Sequence, residues 1–157
     1  MSLLESIKEK ASKLNKRIVL AEGEEERIIR AAESITRQKI AGITLIGRPD
    51  VIAKKCPDVN LDGVDILNPD ASDLTEYSEL LYELRKAKGM DKVQAGKLVK
   101  NPLYLGVMLV KTGKADGMVA GSVNSTGDVL RPALQIIKTA PGISTVSSCF
   151  IMIMPDN

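Results

Sequence analysis

The residues best suited to chemistry lie in the stretch 114–132, where Gly121 interrupts a short apolar run. Small polar side chains and a second glycine follow it: Ser122, Asn124, Ser125, Thr126 and Gly127. Glycine lets a backbone come close to a ligand, and the free N–H groups at the start of a helix attract anions. Arg131 adds a planar, permanently charged guanidinium that suits a phosphate or a carboxylate. The stretch therefore predicts an anion pocket between a strand and a helix that begins at Pro132.

Two further arginines are candidates for the same pocket. Arg27 follows a strand-like run and an acidic turn, and Arg85 lies in the basic helix end 82–89. Each arginine also has a simpler interpretation. Arg27 could pair on the surface with Glu24 or Glu33, and cations near a helix C-terminus are ordinarily explained by the helix dipole.

Arg131 and the loop before it have structural alternatives as well. Arg131 could lie at the start of a helix and touch nearby carboxylates. Ser125 and Asp128 have the Ser-x-x-Asp spacing of a capping box, which would explain both residues without a ligand. Both a ligand-binding role and a structural role are open for this loop.

Composition excludes several classes of protein. A chain of 157 residues with 44% apolar and 27% charged residues is typical of one globular domain. It contains no histidine, which excludes a Ser–His–Asp or Cys–His nucleophile and a histidine-based zinc site within the chain. Its 22 basic and 20 acidic residues nearly balance, and aromatic residues are only 3%, so nucleic acid is not an expected partner.

The glycine spacing, the cysteines and the apolar runs disfavour further classes of protein. The glycines match neither the dinucleotide fingerprint nor the phosphate-binding P-loop, so nucleotide hydrolysis is disfavoured. Cys56 and Cys149 lie far apart and predict reduced thiols in a cytoplasmic protein. The longest apolar run, 149–154, is too short to cross a bilayer, so no membrane association is expected.

The elements that must position the candidate residues alternate along the chain. Amphipathic periodicity or capping signals predict helices over 3–14, 73–88 and 91–99, and one that runs from the acidic turn after the first strand to about 39. They also predict helices that begin at 49, 102 and 132. Apolar runs predict strands over 17–21, 43–46, 64–67, 116–120 and 145–154, with 116–120 buried.

This alternation, with strands that are continuous apolar runs, predicts an α/β fold: a mostly parallel sheet flanked by helices on both faces, in three layers. Ligands bind such sheets beyond the carboxyl ends of the strands. Residues 1–143 are expected to form this α/β domain. Residues 144–157 are expected to be the first strand of a second, truncated domain, since an apolar strand followed by Pro155-Asp156-Asn157 resembles a loop that leads onward.

The chain resembles the phosphate acetyltransferases (phosphotransacetylases) over essentially its whole length, and three segments carry the resemblance. They are 16–23 with Arg27, 82–89, and 114–139. The resemblance implies reversible acetyl transfer between acetyl-CoA and inorganic phosphate, giving acetyl phosphate and CoA, without a metal or a resident cofactor. It also implies that this chain is the N-terminal domain of a two-domain acyltransferase, and that the full-length enzyme is a homodimer.

By the same resemblance, Arg27, Arg85 and Arg131 fall on the family's arginines for phosphate and CoA. Ser125 and Thr126 fall on its phosphate loop. The family often has histidine before that pair, whereas this chain has Asn124. Its catalytic aspartate lies in the C-terminal part, so no catalytic residue is expected here, and the chain alone is expected to be inactive. A phosphate butyryltransferase and a non-catalytic acetyl-CoA-binding regulatory module are the alternatives.

Overall fold

The computed structural model describes residues 2–153, in which four strands are separated by single helices or, before the last strand, by a run of three helices. The elements are α1 (Leu3–Leu14), β1 (Arg17–Leu20), α2 (Glu26–Arg37), β2 (Gly42–Ile46), α3 (Pro49–Lys55), β3 (Val64–Leu67), α4 (Thr75–Arg85), α5 (Lys92–Leu98), α6 (Pro102–Lys111), β4 (Gly117–Val119) and α7 (Thr126–Ile136). A single 3-10 turn, Lys86–Lys88, extends α4.

The four strands form one parallel sheet in the order β3-β2-β1-β4. Val19 in β1 is paired with Thr44 in β2 and with Met118 in β4. From β1 the sheet continues through β2 to β3 on one side, and β4 lies on the other side of β1. The order therefore reverses between β1 and β4, and ligands bind at such switch points in open α/β sheets.

Helices cover both faces of the sheet, which confirms the predicted fold class. Side chains alternate along a strand, so Val19 faces a core built with α4 to α7, whereas Leu20 faces the core of α2. In β2, Ile46 likewise faces the core built with α4 to α7, and Leu45 faces the core of α2. A small third cluster joins α2 to α3 through Ile29 and the buried thiol of Cys56.

Two strand predictions need correction. The strand predicted as buried over 116–120 is the edge strand β4, which has a neighbouring strand on one side only among residues 2–153, and Val119 is exposed. Residues 145–153 form no strand, and Phe150 is 93% exposed. A strand needs the N–H and C=O groups of a neighbour, and none lies beside this segment in the described part of the chain. Residue 154 of that predicted strand lies outside the described residues.

The last helix begins earlier than predicted. Ser125 caps α7 by accepting a hydrogen bond from the N–H of Asp128, so the helix starts at Thr126 and Pro132 lies inside it. Proline has no N–H to bond the carbonyl four residues before it, which normally disfavours a helix interior. Here the ring is fully buried, and its packing offsets part of that cost.

Candidate functional site

The loops that follow β1 and β4 meet at the switch point of the sheet. β1 ends at Leu20 and β4 at Val119, and the two strands are paired along their length. Their carboxyl ends therefore open at one edge, with residues 21–25 on one side of the crevice and 120–125 on the other. This is the edge where the sequence predicts an anion pocket.

A carboxylate of the protein itself occupies the centre of this crevice. The N–H groups of Gly121 and Ser122 donate to Glu22 Oε2 at 2.9 and 2.7 Å. Those of Val123 and Asn124 donate to Oε1 at 3.0 and 2.8 Å. The side-chain amide of Asn124 adds a fifth hydrogen bond, at 2.8 Å. Consecutive N–H groups that converge on one anion form a backbone nest, and the nest in this loop holds Glu22.

The ionised form of Glu22 is strongly favoured, although the residue is only 8% exposed. Burial alone raises the pKa of a carboxyl group. Hydrogen bonds from the N–H groups of Val123, Asn124 and Ser122, and from the Asn124 side chain, more than offset that effect and lower the pKa from 4.5 to about 2. Glu22 is therefore a permanent negative charge at neutral pH.

Gly121 makes the nest possible. Its φ of +107° lies in the left-handed half of conformational space, where a Cβ is strained. A Cβ added there would meet no atom within 4 Å, so the requirement for glycine comes from the backbone conformation and not from crowding.

Arg27 is held against the nested loop. Its Nη2 donates to the carbonyl oxygen of Ser122 at 3.1 Å, and its Nε donates to Glu25. The expected alternatives, Glu24 and Glu33, have other partners: Glu24 accepts from Arg48, and Glu33 accepts from the N–H of Asn60. The guanidinium is nevertheless largely exposed to solvent.

Ser125 caps α7 as the spacing predicts, but the pair does not form the reciprocal capping box within residues 2–153, because the Asp128 carboxylate accepts from the Ser125 hydroxyl and not from its N–H. Ser125 Oγ accepts from the N–H of Asp128 at 3.2 Å and donates to its carboxylate at 2.7 Å. Arg131 lies in the second turn of α7, where its Nη2 is 3.8 Å from Asp128 Oδ1. Thr126 is the first residue of the helix and is exposed. These side chains stay exposed although Ser125 caps the helix, so their role in binding a ligand stays a prediction.

Arg85 is not bonded to this group in the part of the chain that the structure describes. It lies at the end of α4, and its Nε is buried without a hydrogen-bond partner within residues 2–153. Within the same range, no hydrogen bond or ion pair joins it to Arg27, Arg131 or the loop after β4. The structure thus brings Arg27 together with that loop and places Ser125, Thr126 and Arg131 on the helix that follows it.

An open cavity of about 450 Å³ adjoins the nest above β1 and β2. Glu22 and Asn124 form part of its wall, together with the charged side chains of Glu24, Arg48 and Lys55. The Glu24 carboxylate pairs with the Arg48 guanidinium at 2.9 Å, and Lys55 Nζ donates to the main-chain carbonyl of Glu24 at 2.8 Å. Asp70 and Lys100 also line the cavity, which is therefore of mixed charge.

Sequence patterns place Glu22 among several acids of a helix-initiating turn and do not single it out. Its position relative to β1 nevertheless distinguishes it from its neighbours. It follows directly on the buried run of β1 and precedes Gly23, a position at the carboxyl end of a central strand. A charged residue there must find partners within the protein.

No helix among residues 2–153 is both long and apolar enough to cross a membrane. In the same residues, no group of three or more histidine, cysteine, aspartate or glutamate side chains is arranged to hold a metal ion.

The fold and the crevice define a three-layer α/β domain with a backbone anion nest at its switch point. Comparison with known proteins is more specific. The chain belongs to the phosphate acetyl/butaryl transferase family, whose sequence model matches residues 2–157.

Relatives and solved structures agree with this assignment. The chain is 51% identical to the phosphate acetyltransferase of Acetivibrio thermocellus and 49% identical to that of Clostridium acetobutylicum, over 99% of its own length in each case. The EutD phosphotransacetylase from Staphylococcus aureus superposes with a TM-score of 0.89 at 40% identity, covering 98% of this chain and 47% of that chain. The chain spans about half the length of these relatives, namely 47% and 48% of the two acetyltransferases.

Proposed function

We propose that this chain is the phosphate-binding part of a phosphate acetyltransferase, which exchanges an acetyl group between acetyl-CoA and inorganic phosphate. The observation that carries the proposal is about 50% identity over 99% of the chain to proteins named phosphate acetyltransferase. Arg27 contacts the loop after β4, and Ser125, Thr126 and Arg131 are exposed at the cap and in the first two turns of the helix that follows it. Their chemistry suits a phosphate group. Arg85 is proposed as a further phosphate or CoA contact on the resemblance alone.

In the reaction, the sulfur of CoA attacks the carbonyl carbon of acetyl phosphate. A carbon–sulfur bond forms, the carbon–oxygen bond to phosphate breaks, and the thiol proton passes to a base. Negative charge develops on the carbonyl oxygen and on the departing phosphate. Guanidinium groups and N–H donors stabilise such charge, and one well-placed donor contributes typically about 3–4 kcal/mol. Residues of this chain would supply that stabilisation, and the base is expected in the other half of the family's chain.

CoA and acetyl-CoA enter as substrates, and no resident cofactor or metal is proposed. We also propose a homodimeric, cytoplasmic enzyme. The exposed apolar side chains of Leu130 and Leu134 on α7, and of Ile137 directly after it, support the proposed assembly, because they offer surface to a second half or a second copy. Light scattering of a fusion between this chain and the C-terminal half of a relative measures the assembly directly.

The activity is tested by joining residue 157 to the C-terminal half of the Clostridium acetobutylicum relative. We expect CoA-dependent formation and consumption of acetyl phosphate by the fusion, and none by the 157-residue chain or by the relative's half alone. Butyryl-CoA in parallel measures the acyl preference, and faster butyryl transfer would support the butyryltransferase alternative. A fusion that binds acetyl-CoA but never turns over would contradict the enzyme and favour the regulatory module.

The phosphate site is tested separately on the 157-residue chain with inorganic phosphate. Hydrogen bonds to charged groups contribute about 1.5–3 kcal/mol, so we expect Arg131→Ala to weaken phosphate binding roughly tenfold or more. Arg37→Ala is the matched control, because Arg37 is an exposed arginine at the last residue of α2, away from the crevice. Equal affinities in the two variants, measured by calorimetry, would contradict the assigned site.

A further inference from the structure

Glu22 occupies donors that a substrate anion would otherwise use. Four consecutive N–H groups, from Gly121 to Asn124, all point at its carboxylate. A phosphate bound at this crevice must therefore be held by the groups that come next. The N–H groups of Thr126 and Gly127 are such donors, because neither donates a hydrogen bond within the described residues and both belong to the first turn of α7.

A free carboxylate beside a phosphate site would repel the substrate. The carboxylate of Glu22 is not free in that sense, because five hydrogen-bond donors share its charge and it is almost fully buried. Its hydrogen bonds restrain four consecutive residues of the loop. A loop ordered in advance does not lose conformational entropy when the ligand binds.

The ordered loop in turn positions the proposed phosphate ligands. The carbonyl of Ser122, whose N–H is bonded to Glu22, accepts from the Arg27 guanidinium. The nest ends at Asn124, and the next residue, Ser125, is the cap of α7. Glu22 is thus linked through one short loop to both sides of the crevice.

We propose that Glu22 is a positioning residue of the phosphate site: its carboxylate is a resident anion that holds residues 121–124, and through them Arg27 and the start of α7, in the geometry that receives phosphate. The role in binding rests on the proposed function. The resident anion itself rests only on the hydrogen bonds.

The test uses the 157-residue chain, observed by nuclear magnetic resonance of its backbone amides during titration with inorganic phosphate. Glu22→Gln keeps the shape of the side chain but removes the charge. We expect the amide protons of residues 121–124 to move and the phosphate affinity to fall at least tenfold. Glu24→Gln is the matched control, because Glu24 lies in the same loop but binds Arg48. It should leave both readouts unchanged.

Chemical rescue separates a resident anion from a general loss of structure. In Glu22→Ala the nest lacks its carboxylate, and added formate should return the amide protons of 121–124 toward their wild-type positions. Formamide, which has a similar shape and no charge, should not. If Glu22→Ala does not fold, Glu22→Asp replaces it and must bind phosphate more tightly than Glu22→Gln.

The outcomes are distinct. Amide positions that do not change in Glu22→Gln overturn the resident anion, and changed amides with unchanged phosphate affinity overturn the positioning role. A wild-type chain that binds no phosphate contradicts the proposed phosphate site and with it the positioning role. The formate and formamide titrations then still decide whether the nest holds a resident anion.

Discussion

Replacing Glu22 with glutamine should destabilise the protein by an amount that depends on pH. The pKa of Glu22 falls from 4.5 to about 2 in the folded state. One pKa unit corresponds to about 1.4 kcal/mol, so the ionised carboxylate contributes about 3 kcal/mol to the free energy of unfolding. Because the folded pKa is the lower one, the contribution is complete above pH 4.5 and is lost as the pH falls toward 2.

Glutamine resembles the protonated glutamate, so the two proteins should differ by about 3 kcal/mol at pH 7 and should converge as the pH approaches 2. For a chain of this size the difference at pH 7 corresponds to roughly 6–12 °C in melting temperature. Urea unfolding followed by circular dichroism, between pH 7 and pH 3, measures the difference directly.

Glu24→Gln is the control for this experiment. Its ion pair with Arg48 is partly exposed, and such pairs contribute at most about 1 kcal/mol. A difference between wild type and Glu22→Gln that stays constant from pH 7 to pH 3 would refute the assignment of a strongly stabilised carboxylate. A difference no larger than that of the control would refute it equally.

Three further predictions concern stability and are all measured by urea unfolding. Gly121→Ala should cost about 1–2 kcal/mol because of its positive φ, and a neutral result would contradict the conformational requirement. Ser125→Ala should cost about 1 kcal/mol through loss of the α7 cap, whereas Ser125→Asp should retain most of the stability. Leu105→Ala should cost about 2–5 kcal/mol, since the side chain is fully buried in the larger core; a change under 1 kcal/mol would mean that the site collapses around the cavity.

Local patterns in the sequence were enough to predict the α/β class, most element positions and the α7 cap. Alternating apolar runs and amphipathic periods depend on residues only a few positions apart, and so does the spacing of Ser125 and Asp128. The polar loop after Gly121 was predicted to bind an anionic ligand, and that binding stays a prediction; the anion that its N–H groups meet in the structure is the carboxylate of Glu22. What that anion is could not be predicted from the loop.

Tertiary structure decided the rest, because the deciding contacts join distant parts of the chain. Glu22 meets its donors 99 to 102 residues further on, and only the pairing of β4 beside β1 brings the two loops together. The start of α7 likewise depends on packing, since a buried Pro132 is tolerated inside a helix whose sequence suggested a boundary. Residue types and spacing thus predicted an anionic ligand at this edge, whereas the order of the strands determined that the nest there holds the carboxylate of Glu22.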